Sequence, residues 1–166
     1  MFSKWRNKPT EQKNVEIYAP VTGEAVALET VPDDAFAGGF MGKGIAIMPS
    51  EGKLTAPFDG TVSHVIKSKH AVMLEHPSGL QLLFHIGINT VSLKGEGFIS
   101  HVQTGDTVKA GQSLIEFDIE KIKGAGYTVI TPVIVTNAEE LTEGIETNLG
   151  PVQSGRDVIL RAIFKA

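Results

Sequence analysis

The chain has 166 residues, 42% hydrophobic and 20% charged, with a net charge of −4; that is enough for one domain with a packed core and short for two. The charge total gives no support to nucleic-acid binding. The lack of any cysteine excludes disulfides, thiolate metal sites and cysteine nucleophiles, and it suits a reducing cytoplasm.

In chain order, residues 1–14 read as a flexible basic tail. It carries Lys4, Arg6, Lys8 and Lys13 with Phe2 and Trp5, so a weak contact with an anionic membrane is one reading and a solvated leader the simpler one. The tail lacks the apolar core of a secretory signal, and no later stretch nears the roughly 20 apolar residues of a membrane-spanning helix. A single domain is expected over residues 15–166.

From Val15 onward the pattern is β-rich. The apolar runs Ile45–Met48, Gly60–Ile66, Ala71–Leu74, Leu80–Ile86, Ser113–Phe117, Tyr127–Val135 and Val158–Phe164 are separated by Gly, Pro and Asn, as short strands are. Eighteen glycines and eight prolines favour an all-β antiparallel sandwich or barrel over a helical bundle. Helical turns are expected only near Ile119–Lys123 and from Asn137, as N-cap, to Leu141. Ala19-Pro20-Val21-Thr22-Gly23 is echoed by Ala56-Pro57-Phe58-Asp59-Gly60, the same tight-turn device leading into two strands.

The chemistry concentrates in residues 68–87. Pro77 and Gly79 fit positions i+1 and i+3 of a type I turn. A hairpin centred between Pro77 and Ser78 would set His70 opposite His85, Val72 opposite Leu83 and Leu74 opposite Gln81, with paired Cβ atoms roughly 4.5–5.5 Å apart. Leu80, Leu82, Phe84 and Ile86 would fill the core, leaving His85 on the other face with Leu83 and Val72. A one-residue slip would separate the histidines. Apolar surroundings disfavour imidazolium and leave a ring nitrogen free as a nucleophile, and such a patch suits docking of another protein. Two unrelated histidines in a strand pair would give the same pattern. His64, His76 and His101 read as ordinary surface or strand residues.

Leu83-Phe84-His85-Ile86-Gly87-Ile88-Asn89-Thr90-Val91 followed by Leu93-Lys94-Gly95-Glu96-Gly97-Phe98 closely resembles the active-site signature of the glucose-family enzyme IIA proteins of the bacterial phosphotransferase system. The resemblance runs from about Ile17 to Phe164, through Val31-Pro32-Asp33, Phe36-Ala37, Gly44-Ile45-Ala46-Ile47, Lys69-His70-Ala71 and Thr131-Pro132-Val133-Ile134. It implies a barrel-sandwich hybrid fold and a phosphocarrier without cofactor or metal. Phospho-HPr would place the phosphoryl group on Nε2 of His85, and a cysteine on the IIB domain of a sugar permease would remove it. His70 would be the second, unphosphorylated histidine. Ser68 stands where the family commonly has the threonine that holds it, and the Gly87 carbonyl would bind Nδ1 of His85. The resemblance places Phe36, Phe40, Met41, Ile66 and Leu83 on the partner-binding face, with Asp33 at its rim, and other proteins that respond to phosphorylation state are a further class of partner. Two departures from the family pattern, Gly42-Lys43-Gly44 and Ile88-Asn89-Thr90, each replace an acidic residue near the site, which bears on affinity for a basic HPr surface.

Two rivals stand beside this. A zinc hydrolase needs three protein ligands, and no H-x-H or H-E-x-x-H motif supplies them, although adventitious zinc between His70 and His85 stays open. A lipoyl- or biotinyl-type carrier would need its lysine at a hairpin tip; Lys94 is the candidate, and it would leave the histidine pair without a role.

Overall fold

The computed structural model describes residues 14–166; apart from Asn14, which already opens the first strand, the expected tail lies outside the described residues. The strands are β1 (Asn14–Tyr18), β2 (Gly23–Ala27), β3 (Lys43–Pro49), β4 (Lys53–Thr55), β5 (Gly60–Val65), β6 (Ala71–Glu75), β7 (Gln81–His85), β8 (Phe98–Ser100), β9 (Thr107–Val108), β10 (Ser113–Phe117), β11 (Thr131–Val135), β12 (Thr142–Thr147), β13 (Gly150–Val152) and β14 (Val158–Phe164). Between them lie the short helices α1 (Asp34–Ala37), α2 (Ile119–Gly124) and α3 (Ala138–Leu141), and single 3₁₀ turns at Leu28–Thr30 and Thr90–Leu93. The all-β expectation is borne out. Both strands announced by the Ala-Pro echo begin at its glycine, β2 at Gly23 and β5 at Gly60.

One eight-stranded sheet runs β13-β2-β3-β11-β7-β6-β5-β9, flanked by the three-stranded sheets β1-β14-β12 and β4-β10-β8. The pairings that define them are antiparallel. Side-chain alternation sends Ile45, Ile47, Val72, Leu74, Leu82, Phe84, Val133 and Val135 into the main core shared with the flanking sheets. The opposite face of the large sheet is also covered. There Ala46, Ala71, Leu83 and Ile134 pack with Leu28, Val31, Phe36, Ile88 and Ile130 in a second apolar layer. Burial on both faces explains why residues 132–135 are apolar without alternation. Asp33 sets the start of α1 over this layer, its carboxylate accepting the Ala35 N–H at 2.9 Å, the usual N-cap bond.

The β6–β7 hairpin forms as expected, but its register differs by one residue. Ala71 pairs with His85, Val72 with Phe84, Met73 with Leu83 and Leu74 with Leu82. The turn is the cause. Gly79 N–H donates to His76 O at 2.8 Å and His76 N–H to Leu80 O at 2.9 Å, while Gly79 sits at φ 96°. This is a three-residue loop in which a type I turn is followed by a glycine bulge. The extra residue moves Val72 onto the core face and puts Ala71 and Met73 on the face of His85.

Both expected helical turns are present. Asp118 caps α2 by accepting the Lys121 N–H at 3.0 Å. Asn137 precedes α3 without capping it. Its Oδ1 accepts the Gln81 N–H and its Nδ2 donates to Gly79 O, both at 2.9 Å. The amide thus ties the bulged turn to the end of β11. Asn137→Ala removes both bonds and leaves two partly buried backbone groups unpaired, a cost of about 1–3 kcal/mol. Urea unfolding should show a lower midpoint at an unchanged m value; an unaltered midpoint would show that the turn holds its register unaided.

Candidate functional site

His85 closes β7 on the face opposite Leu82 and Phe84. Its Nδ1 lies 2.7 Å from the Gly87 carbonyl oxygen. A carbonyl only accepts, so Nδ1 carries the proton and Nε2 the lone pair. Gly87 can present that carbonyl because it adopts φ 74°, and a Cβ there would lie 2.5 Å from Thr90 Cγ2 and 2.8 Å from Thr128 O.

His70 reaches the same place by a different route from the one the hairpin predicts. With the observed register, strict alternation would turn it toward the core beside Val72. It lies one residue before β6, however, directly after Lys69 at φ 63°. A tight turn, with Lys69 N–H donating to Ile66 O at 2.8 Å, carries the chain into it, and its carbonyl accepts the Ile86 N–H at 2.7 Å. The two imidazoles meet edge to face, centroids 4.9 Å apart and planes at 79°. Ser68 Oγ is 2.8 Å from His70 Nδ1, and the Phe36 ring stands 5.1 Å from His85 at 57°.

The second apolar layer dries this site. Phe36, Ala71, Leu83 and Ile88 are all buried, and His70 is only 5% exposed. Burial, and then the neighbouring charge of His85, pull the His70 pKa down to about 4. Burial also lowers that of His85, opposed by its bond to the Gly87 carbonyl and by the Asp33 carboxylate. Both rings are therefore neutral at pH 7, the state in which an imidazole nitrogen is a nucleophile.

The structure brings together His85, His70, Ser68 and Gly87. It distributes the expected partner residues differently. Phe36 and Leu83, 6% and 8% exposed, are buried in the second apolar layer, with Phe36 against the His85 ring. Ile66 and Asp33 are half-buried, Asn89 is exposed, and Phe40 and Met41 are exposed at 82% and 41%. Alternation along β3 puts Lys43 on the face of Ile45 and Ile47, away from Ala46 and the site layer, and it lines an open depression with Phe40, Met41 and Glu139. Among the described residues, no group of three or more His, Cys, Asp or Glu could hold a metal ion. The sequence reading missed Ala71, Ile88, Ile130 and Ile134 as the site's dry bed; the unbroken apolar run of β11 was the signal for it.

Because both histidines have folded pKa values below that of a free imidazole, the unfolded chain binds more protons in this range. Stability should be constant above about pH 6.5 and should fall as pH drops from there toward 4. Urea midpoints between pH 4.5 and 7.5 measure this slope. His70→Gln should flatten it, and a slope identical to wild type would mean that His70 titrates normally.

The comparisons agree with this geometry. Residues 15–141 match the family model described as phosphoenolpyruvate-dependent sugar phosphotransferase system, EIIA 1. The glucose-specific EIIA component of Oceanobacillus iheyensis is 41% identical over 156 residues, 94% of either chain. That of Staphylococcus epidermidis is 47% identical over 146 residues, 87% of either chain. The solved structure of the glucose permease IIA from Mycoplasma capricolum superposes with a TM-score of 0.82 at 33% identity, covering 90% of this chain and 96% of its own. This chain belongs to the EIIA family of the phosphoenolpyruvate-dependent sugar phosphotransferase system, as a phosphocarrier in sugar uptake.

Proposed function

We propose that His85 accepts the phosphoryl group through Nε2, from phospho-HPr, and yields it to a IIB domain of a sugar permease. The observation that carries this is the bond from His85 Nδ1 to Gly87 O, which commits the other nitrogen to attack. In the first step the Nε2 lone pair forms a bond to phosphorus as the donor's P–N bond breaks, and that electron pair returns to the donor's imidazole. In the second, a cysteine thiolate of the IIB domain attacks phosphorus and the P–Nε2 bond breaks toward His85. Such transfers need mainly alignment and stabilisation of charge on the equatorial oxygens. His70, at 4.9 Å, is placed to donate a hydrogen bond to those oxygens, with Ser68 orienting its ring.

A IIB partner is supported by relatives whose names join A, B and C units. The beta-glucoside-specific EIIBCA component of Bacillus subtilis is 45% identical over 137 residues, 82% of this chain and 22% of that protein. Partners would dock around the exposed Phe40, Met41 and Asn89, with the half-buried Ile66 and Asp33 at the edge and Phe36 and Leu83 packed behind. Work alongside HPr would be cytoplasmic.

Incubation with phosphoenolpyruvate, enzyme I and HPr, read by intact mass, tests the assignment. Wild type and His70→Gln should each gain one acid-labile phosphoryl group, and His85→Gln none. Phosphorylated His70→Gln should pass its group to IIB at least tenfold more slowly than wild type, as loss of a stabilising donor implies. Phosphorylation of His85→Gln, or none of wild type, would overturn the reading.

A further inference from the structure

We infer that Thr90 is a positioning residue for phosphoryl transfer: its hydroxyl fixes the Ile86–Gly87 peptide, and so keeps the Gly87 carbonyl on Nδ1 of His85. The inference rests on the assignment of His85 as the acceptor. Thr90 is fully buried although its side chain is polar, and its Oγ1 donates to the Ile86 carbonyl at 2.5 Å. A buried hydroxyl keeps its place only by making such a bond.

The loop around it depends on that bond. Between His85 and Thr90 the chain passes through left-handed backbone twice, at Gly87 (φ 74°) and at Asn89 (φ 64°). Beyond Gly87 the next peptide is held by both ends. Its oxygen receives His85 Nδ1–H at 2.7 Å, and its N–H, on Ile88, donates to Thr128 O at 3.3 Å. Before Gly87 the peptide oxygen is the one that Thr90 holds. Glycine has the least steric restraint on its dihedrals, so Gly87 would swivel between these two peptides if either were released. The Thr90 methyl closes the remaining space, lying where a Gly87 Cβ would come within 2.5 Å of it.

Two kinds of restraint therefore meet in one side chain, and they can be separated. Thr90→Val keeps the shape and removes the hydroxyl; Thr90→Ser keeps the hydroxyl and removes the methyl. The decisive readout is the tautomer of His85, from two-bond ¹H–¹⁵N correlation spectra of ¹⁵N-histidine-labelled protein at pH 7.5. It does not require phosphorylation, so it stands or fails independently of the carrier assignment. Wild type should show protonated Nδ1 and unprotonated Nε2. Thr90→Val should show averaging between the two tautomers and phosphorylation by phospho-HPr slower by roughly tenfold to a hundredfold, the scale of a misplacement of about 1 Å. Thr90→Ser should keep the wild-type tautomer and most of the rate. A folded Thr90→Val protein with the wild-type tautomer would overturn the inference. So would a mixed tautomer in Thr90→Ser, which tests it even if the valine variant does not fold.

Discussion

A neutral imidazole has one proton for two nitrogens, so the group that takes the proton decides which nitrogen can react. In this protein the choice falls to one carbonyl, that of Gly87, 2.7 Å from His85 Nδ1. The surrounding structure can be understood as what it takes to keep that oxygen there. β7 delivers His85 to the end of a sheet covered on both faces. A left-handed residue then turns the chain back within two positions, and Thr90 and Thr128 hold the peptides on either side of it. A side chain in place of the carbonyl would bring rotamers and a proton of its own. A backbone oxygen brings neither.

The dryness of the site is the second constraint, and it acts differently before and after phosphorylation. Empty, the pair is kept neutral by burial, with His70 at about 4; protonating it at pH 7 costs about 4 kcal/mol. A phosphoryl group on His85 would place nearly two negative charges at about the 4.9 Å ring spacing. Through an effective dielectric of about 20 that attraction is worth roughly 5–7 kcal/mol. It exceeds the cost. The burial that keeps His85 neutral would therefore not prevent His70 from becoming a cation once there is an anion to face. No carboxylate need be installed between the rings, where it would repel the phosphate.

Much of this was legible in the sequence, for local reasons. The alternation of Leu80, Leu82, Phe84 and Ile86 placed His85 on the far face, and all four are fully buried. The turn residues located the hairpin. What they did not reveal was the extra residue at Gly79, which shifts the register by one. By alternation alone that shift would have parted the histidines. They meet because Lys69 leaves strand geometry just ahead of His70, a dihedral that no side-chain pattern records for a lysine. Asn137 was read as a helix cap for the same kind of reason. Its residue type fits, but its amide binds Gly79 and Gln81, far away in sequence. Phe36 and Leu83 could be assigned to the site and not to a depth within it, because exposure depends on the layer that Leu28–Ala37 lays across the sheet.

The two acidic residues that the family pattern has and this chain lacks can be weighed in the same terms. Lys43 belongs by alternation to the face of Ile45 and Ile47, and it lines a depression with Phe40, Met41 and Glu139. Asn89 is different. It sits at φ 64°, ψ 16°, a conformation that asparagine and aspartate both tolerate better than most residues, and it caps no helix with its side chain. Replacing a carboxylate with an amide there costs the backbone nothing and removes one exposed charge from the rim. Rim charges act on encounter and partner choice, whereas buried contacts govern what happens after docking. The nitrogen that we propose reacts is selected by Gly87 and the threonines behind it, none of which depends on the charge at position 89. On the proposed assignment, the departures would therefore bear on which partners approach and how fast, and would leave the geometry around His85 Nε2 unchanged.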